Sequence, residues 1–540
     1  MKTAIPNQPF TTKDFSLRGG GIDFLGLRWV NLTIVGQYLI PELNNVTQDM
    51  GTYFLAAWIP WKFRELCTSP QDYTEKNYQA FREKVEVGIA LSYKEEEGPY
   101  GAVRNRVGND QACDLPSILT FSAANRSDDN SLYAAAIYGP SIQYLGFIAS
   151  YRSQAAGGLA SLKIPVLSEE SQILQVVRGV DESLRRADCY VRFASLSPLT
   201  ATQEQIRELS AAGLNPARFR SAEFSELKRI FAKQLLPASA NAAGYARTLT
   251  AKLVLQTLKQ KSGISTDEIR NIWYTGMAPD GAPLRFEDPE IEQHRIRWAH
   301  FMARQYQRYA LELFLWCFEV ALKAGCKTID EVVAHWLNEG SLSDSRPFRG
   351  ILNDTAEGLL AEDDLLTSEQ WNRFVPSEHR QFEFVRKPQG DEAALHGLQM
   401  FAGWYWRMLW RRNVAQEKEF LTLGGSDRLS IAWFLDWLGA RVDTPVREML
   451  RDLFSDLIFA QHLRVALSRF DGKAQRLRFL LEDHGIEPTV SARQKMGQTV
   501  LPWMPDRLDA LTNLLSDCDV LENRNGVLYE GPGAKAALGL

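Results

Sequence analysis

Residues 289–323 read PEIEQHRIRWAHFMARQYQRYALELFLWCFEVALK. Trp298, Met302, Tyr306, Tyr309, Leu313, Trp316 and Val320 recur there at three- and four-residue steps, the period of one helix face. Asp288 suits an N-cap, Pro289 a first turn and Gly325 a C-terminal stop. The spacing therefore predicts a single helix from Pro289 to Lys323, with Arg304, Arg308 and Glu312 lying away from the aromatic stripe. An aromatic stripe at helical spacing belongs to a packed core rather than to a cofactor site.

The flanking sequence extends the helical pattern. Toward the N-terminus, Leu25, Trp29, Leu32, Val35 and Leu39 predict an inward face of a helix that Pro41 stops, and a second helix is expected from Glu75 to Leu91. Toward the C-terminus, a helix is expected from Thr444-Pro445 to Phe470 with Val446, Leu450, Leu453 and Leu457 inward. Strand signals are sparse: Arg478-Phe479-Leu480, and a hairpin from Val520 to Tyr529 around Asn525-Gly526, a pair that favours a type I′ turn. A helix from Asp506 to Cys518 precedes that hairpin, and helix followed by wing is how winged-helix modules end. The expected fold class is mainly α: a multi-domain helical protein with a small C-terminal α+β winged-helix-like segment. The expected boundaries are an extended arm over 1–20, an N-terminal helical domain over 21–165, a central helical domain over 166–420 and a C-terminal domain over 421–540.

Composition narrows the class of function. The 540 residues are 45% hydrophobic, 24% charged and 11% aromatic, which excludes a collagenous or wholly disordered chain. Acids exceed bases by 66 to 61, so a generally basic coat for nucleic acid is not expected. The six cysteines form no C-x-x-C pair and read as reduced thiols of a cytoplasmic protein. Met1 to Phe10 lacks the apolar core of a signal peptide. Leu132 to Tyr151 carries no charge, but Gly139-Pro140-Ser141 interrupts it, which predicts two buried segments joined by a turn and no membrane span.

The search for chemistry yields mostly exclusions. Gly472-Lys473 lacks the rest of a P-loop, and no G-x-S-x-G or H-E-x-x-H occurs. Glu226-Leu227-Lys228 has the letters of a nuclease E-x-K, but Phe224, Leu227, Ile230 and Phe231 give it helical spacing. Glu331/His335 and Glu392/His396 each place a carboxylate and an imidazole one turn apart, a common surface pair. His462, among Ile458, Phe459, Val465 and Ala466, reads as a core histidine. No catalytic, cofactor-binding or metal-binding residue is assigned, and no cofactor is expected. The one weak nucleic-acid signal is Arg464, Arg469, Lys473, Arg476 and Arg478 against the single acid Asp471, an excess able to neutralise phosphates. Trp404 to Arg412 interleaves aromatics with arginines, but amphipathicity favours a core helix with snorkelling arginines.

Three blocks carry a resemblance. The first is Phe24-Leu25-Gly26-Leu27, then Tyr38 through Pro41-Glu42-Leu43-Asn44-Asn45-Val46-Thr47, then Tyr53-Phe54 to Trp58. The second is Ile137-Tyr138-Gly139-Pro140-Ser141 through Leu145-Gly146, and the third Ala460 to Ala466 followed by Arg478-Phe479. Together they resemble uncharacterised bacterial proteins whose genes sit in antiphage defence islands. The resemblance spans roughly 20–150 and 430–540, and its motifs are those of shared packing. It implies a fold and a genomic neighbourhood, not an active site. The resulting expectation is a non-enzymatic scaffold, sensor or DNA-engaging adaptor of a multi-protein antiphage system, partnered with an ATPase or nuclease subunit. A divergent metal-dependent nuclease and a winged-helix transcriptional regulator stand as alternatives.

Overall fold

The computed structural model describes residues 23–94, 118–121, 132–133, 138–149, 164–277, 284–338, 345–354, 392–412, 418–469, 477–489, 492 and 504–538. The expected arm, the loop over Glu95–Asp114 and the glycine break at Gln154–Gly158 lie outside the described residues. In chain order the first helices are α1 (Leu27–Ile34), α2 (Met50–Leu66), α3 (Glu75–Lys94), α4 (Gly139–Tyr144), α5 (Ser171–Leu184) and α6 (Tyr190–Phe193). The next are α7 (Gln203–Leu209), α8 (Ser225–Leu235), α9 (Tyr245–Gln260), α10 (Thr266–Thr275), α11 (Pro289–Lys323) and α12 (Ile329–Asn338). The last are α13 (Ala393–Arg412), α14 (Lys418–Thr422), α15 (Ile431–Gly439), α16 (Val446–Asp452), α17 (Gln461–Ser468), α18 (Leu508–Asp517) and α19 (Ala534–Leu538). Among the described residues eight short strands, β1 (Ile118–Phe121), β2 (Ile148–Ala149), β3 (Val166–Leu167), β4 (Leu199–Thr202), β5 (Phe479–Glu482), β6 (Gly485–Pro488), β7 (Leu521–Arg524) and β8 (Val527–Glu530), form antiparallel pairs β1–β4, β2–β3, β5–β6 and β7–β8. The mainly α expectation holds.

The chain divides into two compact units, and their bounds differ from the expected ones. One comprises the described parts of Met1–Ile34, Arg270–Arg285 and Arg295–Met504; the other comprises those of Val35–Ile269, Phe286–His294 and Pro505–Leu540. Each unit draws on three separated segments, so composition along the chain could not reveal them.

The predicted long helix is present with its predicted ends, and its residues from Arg295 onward belong to the first unit. Asp288 Oδ1 accepts the Glu290 N–H at 2.9 Å, and Gly325 takes φ +105° to close the helix. The aromatic stripe is buried, with Trp298 packed on Trp273 at 5.1 Å and Tyr306 on Tyr274 at 5.0 Å. Arg304 and Arg308, expected to lie away from that stripe, are both buried. Unable to reach water, Arg304 donates to the Arg428 carbonyl at 3.1 Å and to that of Leu429, and burial pulls its guanidinium down to about 10. The helix predicted from Thr444 to Phe470 appears as α16, a π-helical stretch over Leu453–Ala460, and α17, with Val446, Leu450, Leu453 and Leu457 inward as expected. In α13, Trp404 is buried and donates its indole N–H to Ala303 at 2.8 Å. Its neighbours reverse the expected faces: Trp406 is 38% exposed while Arg407 is buried over the Tyr274 ring.

In the second unit α2 is apolar nearly all round and forms the centre. Asp49 caps it, accepting the Thr52 N–H at 3.2 Å. Pro60 lies inside α2 and cannot supply the N–H that Ala56 O would normally accept. The Tyr133 hydroxyl donates to that carbonyl instead, so the helix passes through the proline without an orphaned acceptor. Trp58 stacks on Phe193 with its ring 3° from parallel and donates to Asp181 at 3.0 Å. In the uncharged stretch at 132–151, Gly139-Pro140-Ser141 does not form the expected turn between two segments but opens α4, where a proline fits the first helical turn, and Tyr144 at its end is exposed.

The winged-helix-like segment gains a part from elsewhere in the sequence. Asn525 and Gly526 both have positive φ, as a type I′ turn requires, and β7 pairs with β8. Ile264, between α9 and α10, forms an isolated antiparallel bridge to Leu528 of β8: Leu528 N–H donates to Ile264 O at 2.9 Å and Gly263 N–H to Leu528 O at 3.1 Å. The order is helix α9, the Ile264 bridge, helix α10, then helix α18 and the two-stranded wing, with more than two hundred residues between α10 and α18. Thr266 at the start of α10 donates to Asp509 of α18 at 2.6 Å.

Candidate functional site

The basic run of Arg464, Arg469, Lys473, Arg476 and Arg478 carries the one nucleic-acid signal in the sequence. Lys473 and Arg476 lie outside the described residues. Arg478 is 7% exposed and its guanidinium pairs with the buried carboxylate of Glu319 while lying 4.7 Å above the Phe24 ring. Arg469 makes two bonds to Asp23, to the backbone O at 2.7 Å and to Oδ2 at 2.8 Å. Arg464 alone of the three is exposed, and it donates to Gln461 Oε1 at 3.0 Å. Two of the expected phosphate ligands are thus engaged by carboxylates of the same unit, and the structure brings no five-residue basic face together among the described residues.

The sequence around these arginines explains the arrangement. His462 sits between Phe24 and Phe479, its ring 4.5 Å from the latter. Its Nε2 accepts the Arg478 N–H at 3.0 Å, which requires the proton on Nδ1, where it is donated to Phe24 O at 3.2 Å. Burial drives its pKa down to about 4, with the nearby Arg478 charge adding to the effect against the Phe24 hydrogen bond. His462 is a satisfied core histidine, as expected. Gln461 Nε2 donates to Leu25 O at 2.9 Å, so one turn of α17 fixes residues 23–26 by backbone contacts. Asp23 in turn accepts the Arg28 and Trp29 N–H groups at 3.0 and 3.2 Å, which starts α1.

What α1 then shows to solvent was not expected. Leu27, Val30, Asn31 and Ile34 face inward, whereas Trp29 is 57% and Leu32 43% exposed. The heptad-like pattern that placed both inside assumed an unbroken helix through Leu39. Instead α1 spans Leu27–Ile34 and its buried face runs Leu27, Val30, Asn31 and Ile34, three- and four-residue steps that leave Trp29 and Leu32 outside, before a π turn over Val35–Leu39.

Two further polar clusters are internal to the second unit. Asp181 accepts from Trp58, Tyr190 and Arg185 and lies 3.3 Å from Lys62 Nζ. Burial acts to raise its pKa, but these donors outweigh it and hold it below the usual carboxylate range. At the start of α2, Asp517 Oδ2 accepts the Met50 N–H at 2.9 Å, and Arg220 bridges Asp517 at 2.7 Å and Asp49 at 3.1 Å. Burial, together with the charge of Asp49, pushes Asp517 up to about 7. Sequence reasoning missed both, since their members lie far apart in the chain. Asn513 also reaches Gln48, at 3.3 Å, and Arg507 reaches Ile40 O at 2.8 Å. Helix α18, in the position a winged-helix regulator gives its recognition helix, is therefore packed against residues 40–50. The side chains it leaves at the surface are those of Asp509, Asn513 and Ser516.

The remaining motif candidates resolve as structural pairs. Glu226 and Lys228 lie on helix α8, with Glu226 paired to Arg229 and Lys228 to Asp519 at 2.9 Å. Glu331 accepts the Lys327 and Thr328 N–H groups ahead of α12, and His396 stands 3.7 Å from Glu392. Among the described residues no group of three or more His, Cys, Asp or Glu side chains could hold a metal ion, and no helix is long and apolar enough to cross a membrane. Cys67, Cys189, Cys317, Cys326 and Cys518 are free thiols. No protein-family model, curated protein or solved structure matches this chain.

Proposed function

We propose that this protein is a non-enzymatic assembly subunit of a bacterial multi-protein antiphage defence system, a cytoplasmic adaptor that docks a partner ATPase or nuclease. The observation that carries the reading is the outward Trp29 and Leu32 on α1. Tryptophan is the residue most enriched at binding hot spots, and an exposed tryptophan one turn from an exposed leucine gains from being covered. The resemblance of the Phe24–Trp58 and Ala460–Phe479 blocks to defence-island proteins supplies the setting. Two observations favour an adaptor over a transcriptional regulator: α18 is packed inward with an acid among its surface residues, and Arg469 and Arg478 are paired internally. Co-expression with each neighbouring gene product, followed by size-exclusion chromatography, tests the proposal. The expected result is a stable complex with one neighbour that Trp29→Asp abolishes; absence of any such complex defeats it.

A further inference from the structure

Helix α18 ends at Asp517, and α2 begins at Met50 behind its N-cap Asp49. The two acids meet over one cation. Arg220, at the end of a 3-10 helix over Pro216–Arg220, places its Nε 2.7 Å from Asp517 Oδ1 and its Nη2 3.1 Å from Asp49 Oδ2. Each acid turns its other oxygen to the first turn of α2. Asp49 Oδ1 accepts the Thr52 N–H at 3.2 Å, and Asp517 Oδ2 accepts the Met50 N–H at 2.9 Å. The Asp49 and Asp517 side chains are 10% and 6% exposed, whereas that of Arg220 is 39% exposed and reaches solvent. With both acids ionised, two buried negative charges share one guanidinium, and like charges in one site favour uptake of a proton by the pair. The joint has little slack, because a Cβ on Gly51 would lie 2.2 Å from Pro216 O.

We propose that Asp49, Arg220 and Asp517 form a proton-controlled latch between the start of α2 and the end of α18, closed by one proton on the carboxylate pair and loosened by its loss. The latch does not rest on the adaptor reading; it adds a response to pH within the second unit. Burial and the Asp49 charge together hold Asp517 up to about 7, against the Arg220 charge and the Met50 hydrogen bond. Other titratable groups stand close by. Tyr138, the N-cap of α4, faces Asp49. Asp519 follows Asp517 by two residues and pairs with Lys228 of α8 at 2.9 Å. The Cys518 thiol between the two acids is pushed well above its usual range by burial and by both carboxylates. The raised value of Asp517 fixes the direction of the response: the latch is fully closed below the ordinary carboxylate range and opens as pH rises toward 7.

The test is amide exchange of the full-length protein over 49–54 and 508–517 between pH 5 and 8, with rates corrected for the intrinsic pH dependence of exchange. One proton leaves on each opening below pH 7, so wild-type protection over both segments is expected to fall about fiftyfold from pH 5 to pH 7. Residues 461–468 of the other unit, which answer to His462, are expected to change in the opposite direction over the same interval. Asp517→Asn, which cannot lose a proton, is expected to hold its protection level across the range. Arg220→Gln removes the shared cation and is expected to move the loss of protection upward by about one pH unit or more. Wild-type protection that stays level or rises from pH 5 to pH 7 would overturn the latch, as would an Asp517→Asn profile parallel to the wild type. A window that Arg220→Gln leaves in place would remove Arg220 from it and so overturn it as drawn. Should Asp517→Asn not fold, the wild-type profile and the Arg220→Gln shift decide.

Discussion

Lowering the pH should loosen the first unit through one residue. His462 is neutral in the folded protein, its Nε2 accepting from Arg478 and its Nδ1–H donating to Phe24, with a pKa depressed to about 4 against 6.5 for a free imidazole. Above pH 6.5 neither the folded nor the unfolded chain binds a proton there, and the contribution to stability is complete. Between 6.5 and 4 the unfolded chain takes up the proton and the folded one does not, so stability falls with pH. Below 4 both are protonated and the loss stops growing. Every tenfold difference in proton affinity between the two states corresponds to about 1.36 kcal/mol, which makes the whole loss about 3 kcal/mol. The assay is amide exchange over 23–34 and 461–468 at several pH values between 7 and 4.5, for wild type and His462→Gln. The wild type should lose protection relative to the variant as pH falls, by a factor approaching one hundred. Parallel pH profiles for the two proteins would refute the neutral, buried assignment.

Three further outcomes follow from the geometry. Gly51→Ala, which in an exposed helix stabilises by about 0.5–1 kcal/mol, should destabilise here, because the added Cβ would lie 2.2 Å from Pro216 O; an increase in melting temperature would contradict the packing. Glu319→Ala leaves the Arg478 charge buried without that carboxylate and should cost about 3–5 kcal/mol in urea denaturation, whereas a loss under about 1 kcal/mol would mean that Arg478 reaches water. Asp517→Asn should flatten a pH dependence of opposite sign. The raised pKa of Asp517 means that its favourable contribution is complete below pH 4 and is lost as pH rises toward about 7, so the wild type should weaken relative to the variant across that window.

The sequence was legible where a local period met a strong boundary. The helix from Pro289 to Lys323 had both, in Asp288 and Gly325, and so did the Asn525-Gly526 hairpin with its two positive φ angles. Periodicity failed where two apolar faces competed: α1 buries Leu27, Val30, Asn31 and Ile34 and leaves Trp29 and Leu32 at the surface, and a π turn follows over Val35–Leu39. Charge failed as a guide to exposure. Arg304, Arg308 and Arg478 looked like solvated positions, but the chain encloses them and answers their donors with the Leu429 carbonyl, a neighbouring glutamate and Glu319. Ile264 could not be read as a strand because its partner, Leu528, is more than two hundred and fifty residues away. The same distance in sequence hid the Asp49–Arg220–Asp517 cluster. Arg464 is exposed as its charge suggests, whereas Trp29 and Leu32, exposed as well, carry the spacing of core residues.

The adaptor reading is tested most directly by recovering the tagged protein from cells carrying its native gene neighbourhood, with and without nuclease treatment. The account predicts a neighbouring gene product in stoichiometric amount that survives the nuclease and is lost with Trp29→Ala. A protein recovered alone, or with a partner that disappears on nuclease treatment, would contradict it.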